Sequence, residues 1–184
     1  MTKSNGQIRI IAGKWRNRRL PVHNAEGLRP TTDRQKETLF NWLQGVTDEA
    51  KVLDLYAGAG GLGFEAMSRY AQFLLAIEKD KKIAALLKKN AEVLSANAKI
   101  QTANVLEFLK QKPTGQFDLV FIDPPFRQNL LQPTLDLLAP WLAEKAWIYL
   151  EAEAELSAPQ TPEDWLLYRE KVIGQSHAYL FKKA

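Results

Sequence analysis

Cysteine is absent from the 184 residues. That removes disulfides, thiolate metal sites and any cysteine nucleophile. Histidine occurs only twice, at His23 and His177, far apart in sequence, which argues against a metal centre. No apolar run approaches the roughly 20 residues of a membrane-spanning helix, and no secretory signal is visible at the N-terminus. A cytoplasmic location is the default expectation. Internal repeats and low-complexity tracts are also missing. What remains is 46% hydrophobic and 25% charged, the composition of a globular chain with one sizeable core.

The overall charge of +4 conceals an asymmetry. Residues 1–36 carry nine basic side chains against two acidic ones, net +7, and the remainder is net −3. A basic arm on a mildly acidic body points to a polyanion such as nucleic acid. Gln7 to Gly13 has β character, and Leu20 to Val22 reads as a short return strand. Between them Lys14, Trp15, Arg16, Arg18 and Arg19 form a basic tip. The pattern predicts a small hairpin, with residues 1–30 as an arm. Its arginines, with Arg9, Lys14 and Arg29, are candidates for gripping phosphates. Trp15 could stack on an unpaired base, or it could pack the arm onto the body.

A turn-rich linker leads to Thr32, a candidate N-cap for a helix from Asp33 to Leu43. Arg29, Thr31 and Thr32 could also border a ligand, although structural roles explain them. Strands and helices then alternate. The spacing predicts strands at 51–56, 73–77, 99–102, 117–122 and 146–150, and helices at 62–69, 80–95, 104–109 and 129–138. A polar loop at 152–162 precedes a hairpin of two strands, 165–173 and 177–182, turning at Gly174-Gln175. This order implies an α/β fold, a doubly wound sheet with one antiparallel strand.

Two stretches carry chemistry. After the first of these strands, Gly58, Gly60 and Gly63 match G-x-G-x-x-G, a turn that lets backbone approach a ligand closely. Glu78 closes the next strand and could accept hydrogen bonds from ribose hydroxyls. NAD and S-adenosylmethionine both carry such a ribose, so this half of the chain leaves both open. Asp54 lies four residues before Gly58. The second stretch is Asp123-Pro124-Pro125-Phe126, directly after an apolar strand. Neither proline has an N–H, and each holds the residue before it extended. The elbow offers a carboxylate, free carbonyls and a flat ring, which suits a ligand that donates from an amine. Read blandly, Pro-Pro ends a strand and Asp123 caps a turn.

Asp-Pro-Pro-Phe after an apolar strand resembles the signature of amino-group methyltransferases that use S-adenosylmethionine. Asp54 with Gly58 and Gly60 resembles their first motif, D-x-x-x-G-x-G. The stretches RIIAGKWRNRRLPV and GLRPTTDRQKETLFNWL resemble one subgroup, the RsmD family. The likeness runs from about Gln7 to the terminal hairpin; Ala59 and Gly61 are mild departures in the glycine loop. That family comprises guanine-N2 methyltransferases of bacterial small-subunit ribosomal RNA. The resemblance implies a class I, Rossmann-like methyltransferase domain over 31–184 behind the arm. It implies cofactor contacts at Asp54, Gly58, Gly60, Gly63, Glu78 and, more weakly, Asn104, which local rules make a plain helix N-cap. It implies that Asp123 and the Pro124 carbonyl accept from the target NH₂, with Pro125 bracing them and Phe126 stacking on the base. Orientation then does most of the work, and no strong general base is expected. The implied target is guanine 966 of 16S rRNA within the small subunit. A monomer is expected, and with two separated histidines no metal is expected. Three alternatives stay open: a DNA adenine-N6 methyltransferase, an NAD(P)-dependent oxidoreductase, and a non-catalytic RNA-binding assembly factor.

Overall fold

The computed structural model describes residues 6–23 and 31–184. Its centre is a seven-stranded sheet in the order β5-β4-β3-β6-β7-β9-β8. The strands are β3 (Lys51–Leu55), β4 (Phe73–Glu78), β5 (Ala98–Thr102), β6 (Phe117–Ile122), β7 (Leu142–Glu153), β8 (Trp165–Ile173) and β9 (Ser176–Lys183). The first five are parallel; β9 runs antiparallel to both β7 and β8. The helices are α1 (Asp33–Trp42), α2 (Gly61–Ser68), α3 (Lys81–Val93), α4 (Val105–Leu109) and α5 (Leu131–Leu138). Two apolar clusters sandwich the sheet. Val52, Phe121, Tyr149 and Leu180 belong to one, and Leu53, Val120, Ile148 and Phe181 to the other. Alternation along each strand sends successive side chains into opposite layers. This is the doubly wound arrangement of a class I methyltransferase.

Helix starts follow local chemistry. Thr32 caps α1 in a capping box with Gln35, and Asp80 and Asn104 cap α3 and α4 through their side-chain oxygens. Other boundaries moved for tertiary reasons. β7 runs from Leu142 to Glu153, not 146–150, because β9 pairs with it as far as Glu153; Ala152 and Glu153 therefore leave the expected loop. α5 starts at Leu131, since Asn129 sits at φ 51°, outside helical geometry.

The arm is shorter in strand and deeper in the protein than expected. β1 (Gln7–Arg9) pairs antiparallel with β2 (Arg19–Pro21), and a turn with Gly13 at φ 81° fills the tip. Ile8, Ile10, Trp15, Leu20 and Val22 are buried in the same cluster as Val52 and Phe121. The expected boundary at residue 30 lies outside the described residues, as does Arg29.

A buried carboxylate staples this arm down. Glu65 on α2 is fully buried and accepts from the backbone N–H groups of Ile11 (2.9 Å) and Ala12 (3.1 Å) and from Arg69 Nε (2.9 Å). Lys36 on α1, also buried, donates to the Arg9 carbonyl and lies 4.0 Å from Glu65. Desolvation holds the Lys36 ammonium below its usual pKa, against the pull of Glu65 and Asp33. Ser68 completes the attachment. Its hydroxyl donates to the Ala12 carbonyl and accepts from Trp15 N–H, and its carbonyl accepts from Lys14 N–H. A Cβ on Gly13 would fall 1.9 Å from that same carbonyl oxygen, so only glycine fits.

Glu65→Leu strands two buried N–H groups and the Lys36 charge. We expect it to cost about 3–5 kcal/mol in urea unfolding. Cutting the exposed Lys110–Glu107 pair, whose side chains are 58% and 70% exposed, should leave the midpoint nearly unchanged.

Candidate active site

Parallel strands place their carboxyl ends on one edge, where open α/β sheets take ligands. Asp54, Glu78, Asp123 and Glu151 lie at or just beyond the ends of β3, β4, β6 and β7. Between β3 and α2 runs the glycine loop. Gly58 has φ 51° and Gly60, the residue before α2, has φ 81°, a region that side chains rarely tolerate. A Cβ on Gly60 would meet the Phe64 ring at 2.6 Å, and one on Gly63 would meet Asp54 Oδ2 at 2.9 Å. Tyr56 enters the loop at φ 65°, its hydroxyl 2.6 Å from Thr134 Oγ1 on α5. Thr134 in turn donates to the Leu130 carbonyl, so Tyr56 is the donor.

The structure redefines three of the expected cofactor contacts. Asp54 is 3% exposed, and its Oδ2 accepts from Gly63 N–H at 3.1 Å. It shapes the loop from beneath, since a side chain this enclosed has little surface to offer a ligand. Glu78 accepts from Gly58 N–H (3.0 Å) through one oxygen and from Asp80 N–H (2.8 Å) through the other. It therefore holds the loop while leaving acceptor capacity on each oxygen. Asn104 caps α4 with its oxygen, which accepts from the N–H groups of Leu106 and Glu107. Gly58 and Gly60 stand in the loop itself, whereas Gly63 lies buried in the first turn of α2, its N–H on Asp54.

Across the edge lies Asp123-Pro124-Pro125-Phe126. Pro124 is buried, and Asp123, Pro125 and Phe126 are half-buried. Among the described residues, no cation pairs with Asp123 and no ring packs on Phe126. The acids feel one another. Burial, opposed by the Gly63 bond and reinforced by Glu78, pushes Asp54 up to about 7. Burial, then Glu151, then Asp54 raise Asp123 well above the usual carboxylate range. Glu151 is raised by burial too, although the hydroxyls of Tyr149 (2.8 Å) and Ser176 favour its charged form. Among the described residues these acids form no group suited to a metal ion. An edge dense in carboxylates and lacking a counter-cation fits a positively charged, ribose-bearing ligand such as S-adenosylmethionine. Sequence reasoning passed over Glu151. Its signal was an acid directly after the apolar run Trp147-Ile148-Tyr149-Leu150, one strand over from Asp123.

The basic residues divide. Lys14, Arg16, Arg18 and Arg19 are exposed. Arg9 is ion-paired to Asp33 at 2.7 Å. Trp15 is only 9% exposed and packs the arm onto the body, with Lys14 Nζ 4.5 Å from its ring; a base cannot stack there. The tip touches the last residue of α2, so it lies about 12 Å along that helix from the glycine loop. The other end of the arm reaches the loop directly. Pro21, Val22 and His23 share a small hollow with Gly58, Ala59 and α3, and Asn90 Nδ2 donates to the Pro21 carbonyl at 3.0 Å.

Comparison with known proteins gives the family. A family model described as conserved hypothetical protein 95 matches residues 8–182. "Ribosomal RNA small subunit methyltransferase D" of Escherichia coli K12 is 50% identical over 182 residues, covering 97% of this chain and 91% of that one. The protein of the same name from Haemophilus influenzae is 49% identical over 178 residues, covering 93% and 91%. The solved structure of a putative methyltransferase from Escherichia coli superposes with a TM-score of 0.90 at 50% identity, covering 97% of this chain and 98% of that chain. With glycine loop, strand-end acids and proline elbow in one edge, the chain belongs to the RsmD family of methyltransferases.

Proposed function

We propose that this protein methylates the exocyclic N2 of a guanine in 16S rRNA of the small ribosomal subunit, using S-adenosylmethionine; the family resemblance points to guanine 966. The observation that carries the reading is the elbow: among the described residues, a carboxylate without a cation, proline-braced carbonyls and an unstacked ring, all beside the glycine loop. The names of the relatives support ribosomal RNA as substrate.

Gly58 and Gly60 give backbone access, Gly63 lets α2 pack closely on Asp54, Glu78 offers acceptors to ribose hydroxyls, and Asp54 keeps the loop in shape from below. S-adenosylmethionine supplies, when bound, a methyl group on a positively charged sulfur. The base must leave its stack to bring its amine to the elbow. Asp123 and the Pro124 carbonyl accept from that amine and orient its lone pair. Phe126 covers the purine face, and Pro125 keeps the two from rotating apart. The exposed Lys14, Arg16, Arg18 and Arg19 grip phosphates of a substrate wide enough to span the flank of the sheet. Against the oxidoreductase alternative, the tyrosine hydroxyls at this edge are committed within the protein, Tyr56 to Thr134 and Tyr149 to Glu151.

Two outcomes test this. Asp123→Ala should lower methyl transfer to small-subunit RNA by at least about 10²-fold while S-adenosylhomocysteine binding stays near wild type. Digestion of the labelled product should yield N2-methylguanosine; N6-methyladenine in DNA, or full function of the variant in subunit assembly without methylation, would overturn the proposal. The second is a pH dependence. As pH rises through about 7, Asp54 ionises and the edge becomes more negative. Affinity for S-adenosylmethionine should therefore rise through that range in calorimetry, and affinity for S-adenosylhomocysteine, which lacks the sulfur charge, should change much less.

A further inference from the structure

Glu151 belongs to no part of the site as the motifs define it. Ile122 on β6 pairs in parallel register with Leu150 on β7. Asp123 and Glu151 are the next residues of those two chains, with backbones about 4.8 Å apart. The layers fix their direction. Ile122 and Leu150 enter one cluster and Phe121 and Tyr149 the other, so alternation sends Asp123 and Glu151 to the same face. Their surroundings differ. Glu151, 6% exposed, accepts from the hydroxyl of Tyr149 on its own strand at 2.8 Å. That bond, with the Ser176 hydroxyl on β9, favours its charged form against the effect of burial. No donor of the protein holds Asp123 in the same way among the described residues. The other group whose charge reaches Asp123 is Asp54 on β3, again an acid. Two carboxylates on adjacent strands resist ionising together, and the Tyr149 bond biases the negative charge toward Glu151 and the proton toward Asp123.

The reaction needs such a neighbour. When the amine forms its bond to the methyl carbon and the sulfur–carbon bond breaks with its electron pair going to sulfur, the nitrogen holds two hydrogens, a methyl and a positive charge. One proton must leave to give the neutral methylated amine. We propose that Asp123 takes that proton and that Glu151 is the positioning residue that makes it able to, the Tyr149 hydroxyl biasing the pair's negative charge toward Glu151. The balance closes: sulfonium, amine and carboxylate become thioether, methylamine and carboxylic acid. The proton passes to water once product leaves. The inference rests on the amine-methylation reading above and adds the proton acceptor which that reading lacked. Asp123's raised proton affinity agrees with it.

Glu151→Gln keeps the shape of the pair and removes the charge. Carbon-13 NMR of labelled aspartate in the free protein should show the Asp123 midpoint falling by roughly one pH unit or more. In methyl transfer, the acidic limb of kcat should move down with it and the plateau should drop by about tenfold, because Asp123 has become a weaker base. KM and S-adenosylhomocysteine affinity should stay near wild type. Tyr149→Phe frees Glu151 to take the proton, so it should shift Asp123 in the same direction by less; it serves if Glu151→Gln fails to fold. An Asp123 midpoint unmoved by either variant overturns the proposal, as does a midpoint that moves while the kcat limb stays. Failure of the wild type to methylate guanine would instead overturn the functional reading, and the NMR midpoints would still report on the pair.

Discussion

Like charges crowd one edge of this sheet, and backbone and hydroxyl donors make that crowding tolerable. Each of four parallel strands ends at or near a carboxylate: Asp54, Glu78, Asp123 and Glu151. Three of them are stabilised from within the protein, by Gly63 N–H, by the N–H groups of Gly58 and Asp80, and by the hydroxyls of Tyr149 and Ser176. Among the described residues Asp123 is the exception, and it sits on the proline elbow. The edge is therefore strained electrostatically until a cation or a proton arrives. That condition links the packing of the strands to the chemistry: the same parallel alignment that builds the core concentrates the acids.

A second acid organises the rest of the molecule. Glu65 faces away from the reaction and ties the N-terminal arm to α2 through two backbone N–H groups, with Lys36 and Arg69 beside it. A basic hairpin joined only by a flexible linker would bind RNA in many orientations. Stapled by Glu65, Ser68 and the buried Trp15, it presents its exposed arginines in one fixed place relative to the glycine loop. Rigid attachment lowers the entropy lost when a large substrate is oriented.

Reading residues in order reached most of the framework. Thr32, Asp80 and Asn104 announce helix starts because a short side-chain oxygen reaches N–H groups two or three residues on. Pro124-Pro125 announces the elbow because proline constrains its own backbone. Gly58 and Gly60 announce the loop because their φ angles are positive. Each of these signals is carried within a few residues. Other features needed partners distant along the chain. Lys36 looks like one more surface lysine of an amphipathic helix until α2 brings Glu65 beside it. Trp15, set among arginines, is as suited to a base as to a core. The end of β7 was lost because Glu151, Ala152 and Glu153 resemble the head of a polar loop, and the ladder to β9 holds them extended.

The reactive edge divides in the same way. Asp123, its prolines and Phe126 are contiguous, so their chemistry is set by covalent connection and could be read directly. Asp54 and Glu78 were also visible, but their work beneath the loop emerged only when folding closed it over them. Glu151 carried no motif at all. It acquires a role because β7 docks beside β6 in one register, and a shift by a single residue would have turned it to the opposite face. Short-range stereochemistry thus dictated which groups exist; long-range strand pairing decided which of them meet, because charge and proton affinity depend on neighbours in space.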